Sequence, residues 1–120
     1  MTDRVEQRRG VPVLVCADDG PPVATVQDAL DLIGGTFYST ADTVAVPAAR
    51  FDEQFFRLRT GVAGEIMQKF VNYRVRLVVV GDISAHTEAS TALRDLVTES
   101  NRGSQIWFVD DLDQLAARLS

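Results

Sequence analysis

The chain has 120 residues, 46% of them hydrophobic and 24% charged, with a formal net charge of −5, one histidine and one cysteine. A chain of this length forms one domain that buries roughly two-thirds of its unfolded surface, so no staples are needed, and the lone Cys16 makes no internal disulfide. The acidic balance argues against nucleic acid as a partner, and the lack of an apolar run of about 18 residues argues against a membrane.

The opening MTDRVEQRRG is polar and carries no charged-then-apolar leader, so a reducing, cytoplasmic location is expected. Arg4–Arg8 reads as a strand and Arg9-Gly10 as a tight turn into Val11–Cys16, which makes residues 1–10 the edge strand of a hairpin or a partly disordered arm. Cys16 ends the apolar run VPVLVC and reads as a small buried hydrophobe rather than a reactive thiol. ADDGPP is a loop. Pro22 suits a first helical turn, and Val23, Val26, Leu30 and Ile33 form a helical stripe that Gly34-Gly35 stops. Thr43–Pro47 makes the third strand.

Phe51, Phe55, Leu58, Val62, Ile66, Phe70 and Tyr73 then fall at steps of three and four, which predicts one long helix with that face buried. At about 1.5–3 kcal/mol for each fully buried large side chain, this helix is expected to contribute most to the core. Gly61 and Gly64 fall inside it at a cost of about 0.5–1 kcal/mol each, which predicts close backbone approach by the sheet, or by a partner helix or ligand. Val75 and Leu77–Val80 suit a central strand covered on both faces, ended by Gly81-Asp82. Ala89, Ala92, Leu93, Leu96 and Val97 mark the next helix, which Asn101 and Gly103 stop. Gln105–Val109 is the last strand. Asp111 with Gln114 caps a terminal helix that turns Leu112, Leu115, Ala116 and Leu119 inward.

The element order is therefore β-β-α-β-α-β-α-β-α: a single α/β domain with a mixed, mostly parallel five-stranded sheet and flanking helices. Ligands of such sheets bind beyond the carboxyl ends of the strands. Asp18-Asp19, Asp82 and Asp110-Asp111 follow strands there, and such carboxylates invite a magnesium site. The length and the acidic pair after the first long strand are also similar to a phosphoacceptor receiver domain, but TVAVP ends without the acceptor aspartate and QIWFVD lacks the lysine. Asp19 and Asp111 are explained as turn and cap residues. His86 lies in a polar loop near Ser84, and no serine sits in a nucleophile elbow. Glycine-rich phosphate loops and zinc-ligand spacings are missing too. No catalytic residue, cofactor or metal is expected.

Polar density does stand out in Glu65, Gln68, Lys69, Asn72, Tyr73 and Arg74, and again in Glu99, Ser100, Asn101 and Arg102. Lys69 is ordinarily a surface residue complementing a helix dipole, and Asn101 a stop signal. The functional reading makes one polar groove, with candidate residues Arg50, Glu65, Lys69, Asn72, Arg74, Asp82, Ser84, Glu99, Asn101 and Arg102. In it Arg74 or Arg102 would supply a fork for a carboxylate or phosphate.

The runs FFRLRTGVAGEIMQKFVNYRVRLVVVGDIS and ALRDLVTESNRGSQIWFV resemble the signature of a bacterial family, domain-of-unknown-function family 4180. The resemblance spans the chain from about Val11 onward, and AGEIMQKFVNYR with ESNRG is its most specific part. It implies no known activity, cofactor or catalytic residue. The element order is also similar to that of STAS domains, which open with a hairpin and act through protein contacts, sometimes through nucleotide binding. Several are switched by a serine phosphorylated at the start of the helix after the third strand. That position reads Ala49-Arg50-Phe51-Asp52, with no hydroxyl to modify.

The expectation is a noncatalytic regulatory or interaction module of STAS-like layout, with a protein partner or as a homodimer. The alternative is a small-molecule or nucleotide-binding protein or enzyme that uses the polar groove. A purely self-associating domain would instead place Gly61 and Gly64, or Trp107, in a symmetric interface.

Overall fold

Two adjacent positive φ angles, 53° at Arg9 and 79° at Gly10, turn strand β1 (Arg4–Arg8) back along β2 (Val11–Val15) in the computed structural model, which describes residues 3–119. This is the mirror-image two-residue turn whose twist matches that of the strands it joins. From β2 onward each strand lies parallel to the one before it: β3 (Thr43–Pro47), β4 (Arg76–Val80) and β5 (Ile106–Val109). The order in the sheet is thus the order in the chain. The single α/β domain with a mixed, mostly parallel five-stranded sheet is as the sequence predicts.

Crossovers of one hand between successive parallel neighbours put their helices on one face. The core shows this: Ile33 of helix α1 (Val26–Thr36), Ile66 and Phe70 of α3 (Val62–Asn72) and Leu93 of α5 (Thr91–Arg102) pack with Leu14, Val44, Leu77, Val79 and Phe108. The opposite face carries Val13, Val15, Ala45, Val78, Trp107 and Val109, beneath Leu115 of α6 (Leu112–Leu119). At the β1 margin of that face Arg4, Glu6 and Arg8 stand across from Val15, Val13 and Val11. Glu6 is ion-paired to both arginines, at 2.6 Å from Arg8. Burial pushes its carboxyl up, but the hydrogen bonds and charges of Arg4 and Arg8 outweigh this and hold it below the usual value.

The single long helix is not formed. Phe51 follows a 3-10 turn over Ala48–Arg50, and Asp52 caps a four-residue helix, α2 (Glu53–Phe56), by accepting from the Gln54 N–H at 2.9 Å. A second 3-10 turn spans Leu58–Thr60 before α3 begins. The break has a local cause. The Thr60 hydroxyl lies 2.7 Å from the Gln54 carbonyl and 2.8 Å from that of Arg57, offering these groups a partner outside a helix, and Gly61 at φ 81° takes the left-handed conformation between the two segments. Gly61 is therefore a boundary. At both Gly61 and Gly64 the position of a Cβ is open space, so neither marks close packing. Phe51, Phe55, Ile66 and Phe70 are buried as expected, whereas Tyr73 lies past the helix end and is 52% exposed.

Two other helices are placed differently from expectation. Thr25 caps α1, so Pro22 lies outside the first helical turn expected for it, and Val23 instead forms a β-bridge with Phe51. The helix runs through Gly34-Gly35, where a Cβ on Gly35 would lie 3.2 Å from Leu14 of β2. Between β4 and β5 a short helix, α4 (Ser84–Ala89), precedes α5, because Ser90 accepts from the Leu93 N–H at 3.1 Å and starts a new cap. Asn101 consequently lies within α5 rather than stopping it.

Candidate functional site

Open α/β sheets form a ligand crevice where their strand order reverses, and the order here never reverses. The carboxyl edge is occupied by Arg50 instead. Following β3, its side chain is only 5% exposed. Nη1 donates to the Ala17 carbonyl at 3.1 Å, while Nε and Nη2 donate to that of Pro21 at 3.1 and 3.0 Å. Asp3 stands 3.9 Å away and accepts from the Ala17 N–H at 2.8 Å. A Cβ on Gly20 would lie 2.4 Å from the Arg50 Cζ, so glycine is what admits the guanidinium. Buried charge needs such pairing. Three of its N–H groups are thus spent on fastening the β2–α1 loop.

Cys16 lies beside this clasp and is 3% exposed. Burial pushes its thiol up to about 12, with the Asp3 charge adding to the shift and Arg50 opposing it. At neutral pH it is a protonated core group, not a nucleophile.

The other candidate residues separate. Asp82 and Ser84 share the carboxyl edge with Arg50, since they follow β4; Asp82 accepts from the Ser84 N–H at 2.9 Å, and this bond holds its carboxyl below the usual value. Asn72 and Arg74 precede β4, and Asn101 and Arg102 precede β5, so these four lie at the amino edge. The structure brings Glu65 and Lys69 together around a shallow hollow on α3 shared with Val26, Gly64 and Gln68. Gln68 also donates to Asn72 at 2.8 Å, and Glu99 pairs with Arg102 at 3.7 Å on the exposed side of α5. Asn101 bonds to the backbone of Phe108. One groove gathering all ten residues is not formed, because the elements carrying them end at opposite edges of the sheet.

Trp107 is 6% exposed, held between Arg76 and Arg118, whose guanidinium carbons stand 4.2 and 4.3 Å from its ring centre. It faces no open interface.

Two surfaces lie outside the groove that the sequence pattern suggests. At the amino edge Phe37, Tyr38 and Tyr73 are 69%, 95% and 52% exposed, with the Phe37 and Tyr73 rings 6.4 Å apart. Adjacent aromatics at Phe37-Tyr38 just beyond a helix stripe were the available signal. On the carboxyl side, a cavity of about 730 Å³ runs between α2 with its 3-10 turn and the α4–α5 corner. The signal there is the pair of arginines in Arg57-Leu58-Arg59, masked by the helical spacing of the apolar residues around it.

Fold and site together define a small open-sheet α/β domain in which the buried arginine at the usual ligand edge is a structural tie. A family model, Domain of unknown function (DUF4180), matches residues 8–119, and the chain belongs to that family. No curated protein and no solved structure matches it. No described helix is long and apolar enough to cross a membrane.

Proposed function

We propose that this protein is a noncatalytic, regulatory interaction module of the bacterial cytoplasm, and that its protein partner docks on the amino edge of the sheet. The supporting observation is the exposure of Phe37, Tyr38 and Tyr73 at this edge, with the Phe37 and Tyr73 rings 6.4 Å apart. Aromatic side chains left in water carry a large apolar area, and such residues dominate the energetics of protein interfaces. Arg74, next in the chain after Tyr73, adds a positive charge on an acidic protein, which suits a partner surface that combines an apolar pocket with carboxylates.

The test replaces Tyr38 with a photo-crosslinking phenylalanine in cells and compares it with the same group at Glu88, exposed on α4. A discrete protein adduct from position 38 but not from 88, lost on adding Phe37→Ser and Tyr73→Ser, is the expected result. Adducts from neither position, or equally from both, overturn the reading.

A further inference from the structure

We infer that the groove between α2 and the α4–α5 corner binds a small organic phosphate monoester, its phosphate held by Arg57 and Arg59 and its apolar body laid along Phe56 and His86. The groove's volume of about 730 Å³ falls in the range of small-molecule sites. Its walls alternate: Phe56 is buried and Leu58 half-buried against the core, which leaves Arg57 and Arg59 facing out between them. This segment is held rather than loose, because the Thr60 hydroxyl ties it to the Gln54 and Arg57 carbonyls and accepts from the Val62 N–H at 3.3 Å. Two guanidinium forks two residues apart on a braced turn are suited to meet one anion.

Neither fork is committed elsewhere. Arg57 meets Glu53 at 3.5 Å in a pair with both side chains well exposed, a contact of little strength, and Arg59 has no ion-pair partner among the described residues. Glu53 is the one carboxylate lining the cavity, against the two arginines Arg57 and Arg59, so the groove is net positive on a chain of net charge −5. A dianionic phosphate matches two guanidiniums better than a singly charged carboxylate does.

The opposite wall supplies the rest. The His86 ring stacks on Phe56 at 4.2 Å and 10°, extending the aromatic cluster of Phe51, Phe55 and Phe56 into the groove, and its ring nitrogens have no hydrogen-bond partner among the described residues. Ala85, Ala89 and Ala92 leave room beside it, and the amino end of α5, capped by Ser90, borders the same space. The inference does not depend on the partner surface at the opposite edge of the sheet.

The test is an NMR amide titration of the intact protein with phenyl phosphate, inorganic phosphate and benzoate. Phenyl phosphate is expected to saturate with shifts confined to residues 53–60 and 85–92, and to bind about tenfold more weakly to the surface variants Arg57→Gln and Arg59→Gln. Inorganic phosphate is expected to bind more weakly at the same amides, and His86→Ala to abolish the preference for the aryl ester. Shifts that do not saturate, that centre on Lys69 or Arg74, or that are equal in wild type and both arginine variants overturn the inference. Benzoate binding as tightly as phenyl phosphate overturns the phosphate assignment. Phe37→Ser with Tyr73→Ser is expected to leave the titration unchanged.

Discussion

The Asn101 side chain satisfies both backbone groups of Phe108: its Oδ1 accepts from the Phe108 N–H at 2.8 Å, and its Nδ2 donates to the Phe108 carbonyl at 3.2 Å. β5 is an edge strand with β4 on one side only, so the amide stands where a further strand would pair. Exposed edges invite association with other chains. Asn101→Ala is expected to lower stability by about 1–3 kcal/mol in urea denaturation and to produce concentration-dependent association in size-exclusion chromatography. Asn101→Asp keeps the acceptor and loses the donor, and should fall between. An alanine variant as stable and as monodisperse as the wild type would show that the edge needs no cover.

The Arg50–Gly20 contact can be isolated by a double-mutant cycle. Arg50→Met leaves the Ala17 and Pro21 carbonyls without their buried donor and is expected to cost about 2–4 kcal/mol. Arg50→Lys should recover little of that, because a single ammonium does not reproduce the fork. Gly20→Ala forces the guanidinium aside and should be destabilising in the wild type, yet nearly neutral once Arg50 is methionine. Additive effects of the two substitutions would break the argument.

These two residues also show what the sequence held and what it concealed. Thr43–Pro47 is a strand with the bounds its β-branched pattern predicts, and Asp111 accepts from the Gln114 N–H at 2.8 Å as their spacing predicts. Both signals are local. The sequence pattern suggests a groove for Arg50 and Asn101 because their true partners are backbone groups brought to them by the fold, in the case of Arg50 from 29 and 33 positions away. The helix expected over residues 51–73 failed for another reason. Phe55, Leu58, Val62 and Ile66 keep helical spacing through the break, while the interruption lies in the Thr60 hydroxyl bonds and the φ of Gly61, which periodicity does not encode.

The α1 cap gives stability a pH dependence. The Asp28 carboxylate accepts from the Ala24 and Thr25 N–H groups, each at 2.9 Å, while Thr25 Oγ1 accepts from the Asp28 N–H at 3.2 Å. The Ala24 bond is the largest influence; burial opposes it, and the two Thr25 bonds add to it, so that the Asp28 carboxyl is held below its usual value. A depressed folded-state value means stability that is present above the unfolded-state value near 3.8 and is lost as pH falls through the folded one. Glu6 is shifted the same way, so the relevant quantity is the difference between wild type and Asp28→Asn. That difference should be constant at neutral pH and shrink below about pH 4. Thr25→Ala should cost about 1 kcal/mol. A difference that does not change on acidification would assign the cap no electrostatic part.

Attachment of α6 depends on Arg118. Its guanidinium lies over the Trp107 ring while Nη2 donates to the Asn101 carbonyl at 2.6 Å, so one side chain ties the helix to the last strand and to the end of α5. Arg76 covers the same indole and donates to the Ser104 carbonyl at 2.9 Å, and the indole N–H donates to Gly103 at 2.8 Å. With Leu115 the buried anchor of an eight-residue helix, loss of this tie should loosen α6 before the sheet unfolds. Arg118→Ala is expected to cost about 1–2 kcal/mol and to raise acrylamide quenching of Trp107, the only tryptophan, with its emission shifted to the red. Arg118→Lys retains charge but not the flat stacked group, and should quench between the two. Because Arg76 remains over the ring in both variants, quenching that rises while amide exchange in β5 stays slow would locate the opening at α6 alone. Quenching unchanged in Arg118→Ala would mean that Leu115 and its neighbours hold the helix without the arginine.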